Sequence, residues 1–443
     1  MRMMAAILFE QGKPRPYATS RPLVIEEVEL DGPGPGEMLI EVAAAGLCHS
    51  DLSTIENQRP RPLPIVIGHE GAGIVREVGP GVKDVVPGDH VVTVFAPSCG
   101  DCRYCVRGRP NICPTGNAFR ATGQLPTGGR RLKRLDGTPV NHNSGLSLYA
   151  QYAVVARRSA VKIGKDIPLD DAAIFGCAVM TGAGAVLNTA RMEAGAAIAV
   201  VGLGGVGMNA LFAAVAGGAE RIVAVDTNPA KLELAKQWGA TDVFLAGNED
   251  CAAQVREATD GGLDTVIETA GSIAAMQLAI AITARGGETI SAGLPNINAQ
   301  VSYLHASMVS EERSIRGSYM GSCVPERDLP RLLGLYRRGK LPVDKQPHHL
   351  RSDQRGVRPA ERRHGAAADA AAERLTRSKV DRGARPIRCR TASGAAFSGM
   401  KGDQFSATIA VGVFQTTLNG PSAWISPIIA GLDKGWLRCM SSA

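Results

Sequence analysis

Along the first third of the chain, apolar residues fall in short β-forming runs broken by Gly and Pro. Met38-Leu-Ile-Glu-Val42, Gly71-Ala-Gly-Ile-Val-Arg-Glu-Val78 and His90-Val-Val-Thr-Val94 are such runs, and Gly32-Pro-Gly-Pro-Gly36 and Pro87-Gly-Asp89 lie between them. Short runs bounded by turn clusters predict an antiparallel or barrel-like β domain. From about Ala196 the texture changes. Apolar segments at Ile198–Val201, Ile222–Asp226, Asp242–Leu245, Thr265–Glu268 and Thr289–Ala292 alternate with helical stretches such as Pro229–Trp238, and a helical run from Asp328 to Arg338 follows. Strand–helix alternation of this kind predicts a parallel, doubly wound α/β sheet.

The longest uncharged stretch, Ala194–Ala219, has the length of a membrane span. Its seven glycines, most of them clustered, and the strand Arg221–Asp226 that follows suit a buried strand, a glycine loop and a buried helix instead. Met1–Gly12 has neither a long apolar run nor a small-residue cleavage site, so no secretory signal is expected. Beyond about Asp353 the periodic patterns stop, and Ala and Arg dominate.

Charge alters the picture only once it is located. The 443 residues carry a net charge of +7, which by itself would suggest a nucleic-acid partner. Residues 1–353 hold 35 Lys and Arg against 36 Asp and Glu, whereas 354–443 hold 14 against 6. The main body therefore has no electrostatic reason to seek phosphate, and no nucleic-acid or membrane partner is expected.

The ten cysteines carry more information. Cys99, Cys102, Cys105 and Cys113 lie within fifteen residues, a density that reads as metal binding in a reducing compartment rather than as disulfides. Four thiolates suit tetrahedral zinc and leave no position open, so this site would clamp a loop and do no chemistry. A second set is dispersed. Cys48-His49-Ser50-Asp51 and Gly68-His69-Glu70 supply Cys and His ligands from separate segments, and Cys177 supplies a third. Two Cys and one His leave the fourth position open, as catalytic zinc requires, and an alcohol bound there loses its proton more easily.

Gly202-Leu-Gly204-Gly205-Val206-Gly207 follows an apolar strand and opens the helical segment Met208–Val215. These glycines permit a tight turn and close backbone approach, and the helix N-terminus attracts a pyrophosphate. Asp226 ends the next strand, where a carboxylate would bond the ribose 2′-hydroxyl and repel a 2′-phosphate, favouring NAD over NADP. The alternative for Asp226 is a turn residue before Asn228-Pro229.

Together these motifs resemble the zinc-containing medium-chain alcohol dehydrogenases. The family pattern is complete as Gly68-His69-Glu70, Gly73, Gly79 and Val82, and the resemblance covers about 1–353. It implies a GroES-like β-barrel catalytic domain over 1–178 with a structural zinc lobe at 95–116, a Rossmann domain over 179–323, and a return toward the catalytic domain over 324–353. By the same resemblance, Cys48, His69 and Cys177 bind the catalytic zinc with Glu70 as a transient ligand, and Asp51 orients His69. Ser50 takes the alcohol's proton, His49 lies near the coenzyme pyrophosphate, and Asp226 and Lys231 hold the adenosine ribose. The resemblance implies two zincs per subunit, NAD, a cytoplasmic homodimer or homotetramer, and a primary alcohol, an aryl alcohol or the formaldehyde–glutathione adduct as substrate. Where some members carry a relay histidine, this chain has Ser53.

The resemblance stops after Leu350-Arg-Ser-Asp353. Codons allowed for Gln354–Ala370, read one nucleotide later, permit Asn-Glu-Ala-Phe-Asp-Arg-Leu, which is the segment the family carries here. The expectation is a frameshift near Gln354, leaving 354–443 as a frameshifted or disordered tail without native partners. The alternative is a genuine basic tail. The competing functional reading is a family member that binds zinc and nucleotide but is catalytically impaired by this tail.

Overall fold

The computed structural model describes residues 1–345 and the strand Thr408–Ala410. The N-terminal half is β-rich. Strands β1 (Arg2–Leu8), β2 (Leu23–Leu30), β7 (Leu132–Arg134), β8 (Pro139–His142) and β4 (Ile65–Val66) close into a barrel. A second sheet runs β10 (Ala160–Ile163), β6 (His90–Thr93), β5 (Gly71–Val78), β3 (Glu37–Gly46), with β9 (Tyr152–Ala156) also on β3. Alternating residues Met38, Ile40 and Val42 of β3 feed a buried core that Ala72 and Val75 of β5 join, as the period-two pleat of β3 requires.

The second half is a six-stranded sheet with every pairing parallel. Its order is β13 (Asp242–Leu245), β12 (Arg221–Asp226), β11 (Ala197–Val201), β14 (Leu263–Glu268), β15 (Thr283–Ser291), β16 (Ser314–Gly317). Sequence order reverses beside β11, which creates the crevice at the carboxyl ends where doubly wound sheets take ligands. The central strands are buried on both faces, with Ile198, Val200, Ala224 and Ile267 fully enclosed, and so they read as continuous apolar runs. The helix after the glycine loop starts at Gly205, earlier than the expected Met208, and runs to Ala216.

Two features join the halves. Helix Ala178–Gly184 packs on helix Gly205–Ala216 so closely that a Cβ on Gly182 would overlap the Val206 carbonyl. Helix Pro325–Arg337 then returns to the β-rich half, where Tyr336 Oη donates to Asp171 at 2.8 Å and Arg337 pairs with Asp166 at 2.6 Å. One core cluster accordingly runs from Ile40 and Val92 through Phe175 and Met180 to Leu211. Among the described residues no single helix is long and apolar enough to cross a membrane. The stretch Ala194–Ala219 supplies β11, the loop and the first helix of the parallel sheet.

The frameshift expected near Gln354 lies outside the described residues. Strand β17 (Thr408–Ala410) pairs in parallel with Ala44–Gly46 of β3. The reason is physical: the end of β3 presents unpaired backbone groups, and any extended segment can satisfy them.

Candidate functional site

Each dispersed zinc-type residue is delivered by a different element. Cys48 caps helix His49–Ile55 just after β3, His69 and Glu70 precede β5, and Cys177 caps helix Ala178–Gly184. The fold brings them to one point: one ligand atom from each of Cys48, His69, Glu70 and Cys177 lies within 4.8 Å of all the others. Cys177 Sγ is 3.6 Å from His69 Nε2 and 3.9 Å from Cys48 Sγ. Gly68 makes this possible. Its φ of +92° suits glycine, and a Cβ there would collide with Tyr149, which packs against it.

Asp51 anchors the cluster from behind. Its Oδ1 accepts from His69 Nδ1 (3.0 Å), Gly68 N (3.2 Å) and Asn143 Nδ2 (3.3 Å), and its Oδ2 from Tyr149 Oη (3.1 Å) and Cys48 N (3.4 Å). Binding at Nδ1 fixes the tautomer that turns Nε2 toward the thiolates. A hydrogen bond from Cys177 draws the Cys48 thiol well below its usual range, and the same contact pushes Cys177 up. Burial opposes charge on His69, but Asp51 and Cys48 outweigh it and hold the imidazole well above its usual value. Burial, then the Cys48 charge, pushes Glu70 up. A buried set of soft, proton-sharing donors is what a cation replacing those protons would need.

The four-cysteine loop is equally well formed. Its sulfurs are 3.5–3.9 Å apart along four contacts, and a zinc–sulfur distance of about 2.3 Å implies tetrahedral edges of about 3.8 Å. Backbone N–H groups of Cys99, Cys102 and Gly116 point at these sulfurs, which stabilises thiolate charge. All eight described cysteines are free, so neither cluster is a disulfide.

The glycine loop lies beside the catalytic cluster: a Cβ on Gly205 would sit 3.6 Å from that of Ala178, the residue after Cys177. Gly202 has φ +91°, and a Cβ on Gly207 would overlap the Gly202 carbonyl. Gly204 caps the helix without a side-chain bond, so the first N–H groups are left for an anion. Asp226 is buried at the end of β12. It accepts from Leu203 N at 2.6 Å and Asn228 N at 2.8 Å, with Lys231 Nζ at 3.5 Å. It therefore does serve the turn before Pro229, and it ties that turn to the glycine loop. His49 is exposed on the first turn of its helix, Ser50 is half-buried, and Ser53 is buried.

Other residues at the site carry no motif. Tyr149 and Asn143 reach Asp51 from a distant loop, and Phe95 meets the His69 ring edge-on at 5.3 Å between centroids. No periodicity or spacing marks them, because their role comes from the barrel's closure.

Comparison with known proteins agrees with this geometry. Residues 34–165 match the alcohol dehydrogenase GroES-like domain, and 205–338 match the zinc-binding dehydrogenase domain. The chain is 39% identical over 348 residues to the NDMA-dependent alcohol dehydrogenase of Amycolatopsis methanolica, covering 78% of this chain and 91% of that one. This chain belongs to the zinc-binding alcohol dehydrogenase family. It is 36% identical over 363 residues to S-(hydroxymethyl)glutathione dehydrogenase of Paracoccus denitrificans, covering 80% and 94% of the two chains. The crystal structure of benzyl alcohol dehydrogenase from Acinetobacter calcoaceticus superimposes with a TM-score of 0.72 at 32% identity, over 78% of this chain and 91% of that one. The family member is thus an oxidoreductase of the alcohol dehydrogenase class, with zinc and NAD as its cofactors.

Proposed function

We propose that this chain oxidises a primary or aryl alcohol, or reduces the matching aldehyde, at a zinc held by Cys48, His69 and Cys177. The observation that carries the reading is the buried convergence of these side chains with Glu70 beside the glycine loop. Bound zinc would polarise the alcohol oxygen, and NAD would accept the hydride. The chain's own residues do the rest. Asp51 holds His69 in its ligating tautomer, and Glu70, buried next to Cys48, serves as an alternate oxygen donor. Ser50 takes the alcohol's proton on its way to solvent. The helix at Gly205 and its glycine loop receive the pyrophosphate, and Asp226 with Lys231 receives the adenosine ribose. Cys99, Cys102, Cys105 and Cys113 hold a second zinc that braces their loop.

On this reading 1–178 and 179–323 form the catalytic and coenzyme units, with 324–353 returning to the first. The free thiolate clusters support a reducing, cytoplasmic setting. The outer edge of the parallel sheet supports a homodimer or homotetramer: Ser314–Gly317 is exposed throughout, and Tyr303, Leu304 and Val309 are exposed nearby. The test is a panel of alcohols, including benzyl alcohol and the formaldehyde–glutathione adduct, assayed by NADH formation with metal analysis of the same sample. Full zinc loading without NADH formation from any of them would defeat the reading.

A further inference from the structure

Three arginines stand together at the side of the catalytic cluster without an acid among them. Arg120 donates through Nε (3.2 Å) and Nη2 (2.8 Å) to the Phe95 carbonyl and through Nη1 to Tyr319 Oη. Arg61 donates through Nη1 to the Arg120 carbonyl at 3.3 Å. Arg59 donates through Nη2 to the Pro295 carbonyl, reaching from the β-rich half to the loop after β15. Every acceptor is neutral. Among the described residues none of these guanidiniums makes an ion pair with a carboxylate, although sixteen other basic residues do.

A second observation points the same way. Arg61 Nε is shut off from solvent and has no hydrogen-bond partner. Burial and repulsion from Arg120 and Arg59 act together to disfavour its charge. A half-buried cation with one enclosed N–H left unsatisfied, and repelled by its neighbours, is costly unless an anion joins it.

The position of this group gives it a purpose. Arg120 Cζ lies 4.9 Å from the Phe95 ring centroid, and that ring meets the His69 ring at 5.3 Å. The two contacts in series keep the guanidinium within about 10 Å of a zinc-type ligand. Tyr319, at 6.1 Å from Phe95, completes the aromatic wall. Phe95 thus touches both His69 of the zinc-type cluster and Arg120.

We propose that Arg61 and Arg120, with Arg59 at the rim, form a carboxylate pocket at the far end of the substrate site. This rests on the dehydrogenase reading for the reacting end, and it names the substrate class: alcohols or aldehydes bearing a carboxylate roughly one aromatic ring from the reacting carbon. A planar carboxylate suits the guanidinium fork and supplies the acceptor that Arg61 Nε lacks.

The test uses the full chain loaded with zinc, as wild type, Arg61→Gln and Arg61→Lys. The probes are para-carboxybenzyl alcohol and its neutral amide, para-carbamoylbenzyl alcohol. Dissociation constants come from calorimetry without coenzyme, and kcat/KM from NADH formation. Wild type should bind the carboxylate tenfold to a hundredfold more tightly than the amide, the weight of a charge-assisted contact. Added salt should erode that advantage. Arg61→Gln should bring the ratio close to one, and Arg61→Lys, which keeps the charge, should retain part of it. Equal binding of the two probes by wild type overturns the proposal, as does an advantage that Arg61→Gln leaves intact, which would place the carboxylate on the metal instead. If the binding advantage is present but neither probe nor benzyl alcohol is oxidised, the pocket stands and the dehydrogenase reading falls. If benzyl alcohol is oxidised and the advantage is missing, the reverse holds.

Discussion

Replacing Asp51 by Asn should weaken the catalytic zinc and leave the fold in place. Asp51 is 1% exposed and accepts five hydrogen bonds, three on Oδ1 and two on Oδ2. An asparagine that keeps its carbonyl on the His69 side preserves the three bonds from His69, Gly68 and Asn143. Its amide then faces Tyr149 Oη, which can accept, and Cys48 N, which cannot. The loss is therefore one long backbone bond of 3.4 Å and the negative charge behind His69. Partners of this kind are worth about 10–100-fold in metal affinity, or roughly 1.4–2.8 kcal/mol. The assay is zinc competition with a chelator of known affinity. The four-cysteine loop acts as an internal reference: one zinc per chain should shift and the other should not. Asp51→Ala should behave differently, because it strands the four N–H donors, Tyr149 Oη alone keeping a partner in the Gly46 carbonyl, at about 1–3 kcal/mol for each buried group left unsatisfied. That variant should lose folding stability as well as zinc. Wild-type affinity for both zincs in Asp51→Asn would refute the positioning argument.

Other outcomes follow from the same geometry. Cys48→Ser should abolish turnover with little loss of fold, and Cys102→Ser should lower both zinc content and thermal stability; an active Cys48→Ser protein would overturn the catalytic assignment. Asp226→Gly should lower the kcat/KM preference for NAD over NADP by about tenfold or more, since a charge-assisted bond is lost and a repulsive charge removed; a wild-type protein that already prefers NADP would contradict this. Restoring the alternate frame from Gln354 onward should raise solubility and turnover together. In that frame the codons beyond Asn-Glu-Ala-Phe-Asp-Arg-Leu also permit Asn-Asp-Gly-Thr-Ala-Leu-Arg-Gln, whose last arginine the family resemblance places near the coenzyme pyrophosphate. Equal solubility, turnover and NAD affinity in the two proteins would favour a functional tail.

Much of the molecule was written locally. Short β-forming runs with Gly and Pro between them gave β3, β5 and β6, and fully apolar runs gave the buried strands β11, β12 and β14. Both patterns follow directly from which faces of a strand meet the core. The four-cysteine loop was legible for a similar reason: its ligands lie within fifteen residues, so spacing alone constrains their geometry. The glycine loop was legible because Gly202 and Gly207 are demanded by backbone contacts within a single turn.

The dispersed site was only half visible. Cys48, His69 and Cys177 could be named from motif and resemblance, but no local rule places residues 108 and 129 positions apart at 3.6 and 3.9 Å. Barrel closure and the packing of helix Ala178–Gly184 against helix Gly205–Ala216 decided that. Tyr149 and Asn143 behind Asp51, and the arginines around Phe95, had no sequence signal at all. Their partners come from other strands and loops, and hydrogen-bond and charge complementarity at such range exists only after the chain has folded. The sequence by itself determined which elements form and which residue types can hold metal and nucleotide. Tertiary structure decided which of those residues meet, because the contacts that matter are set by layer packing and not by spacing along the chain.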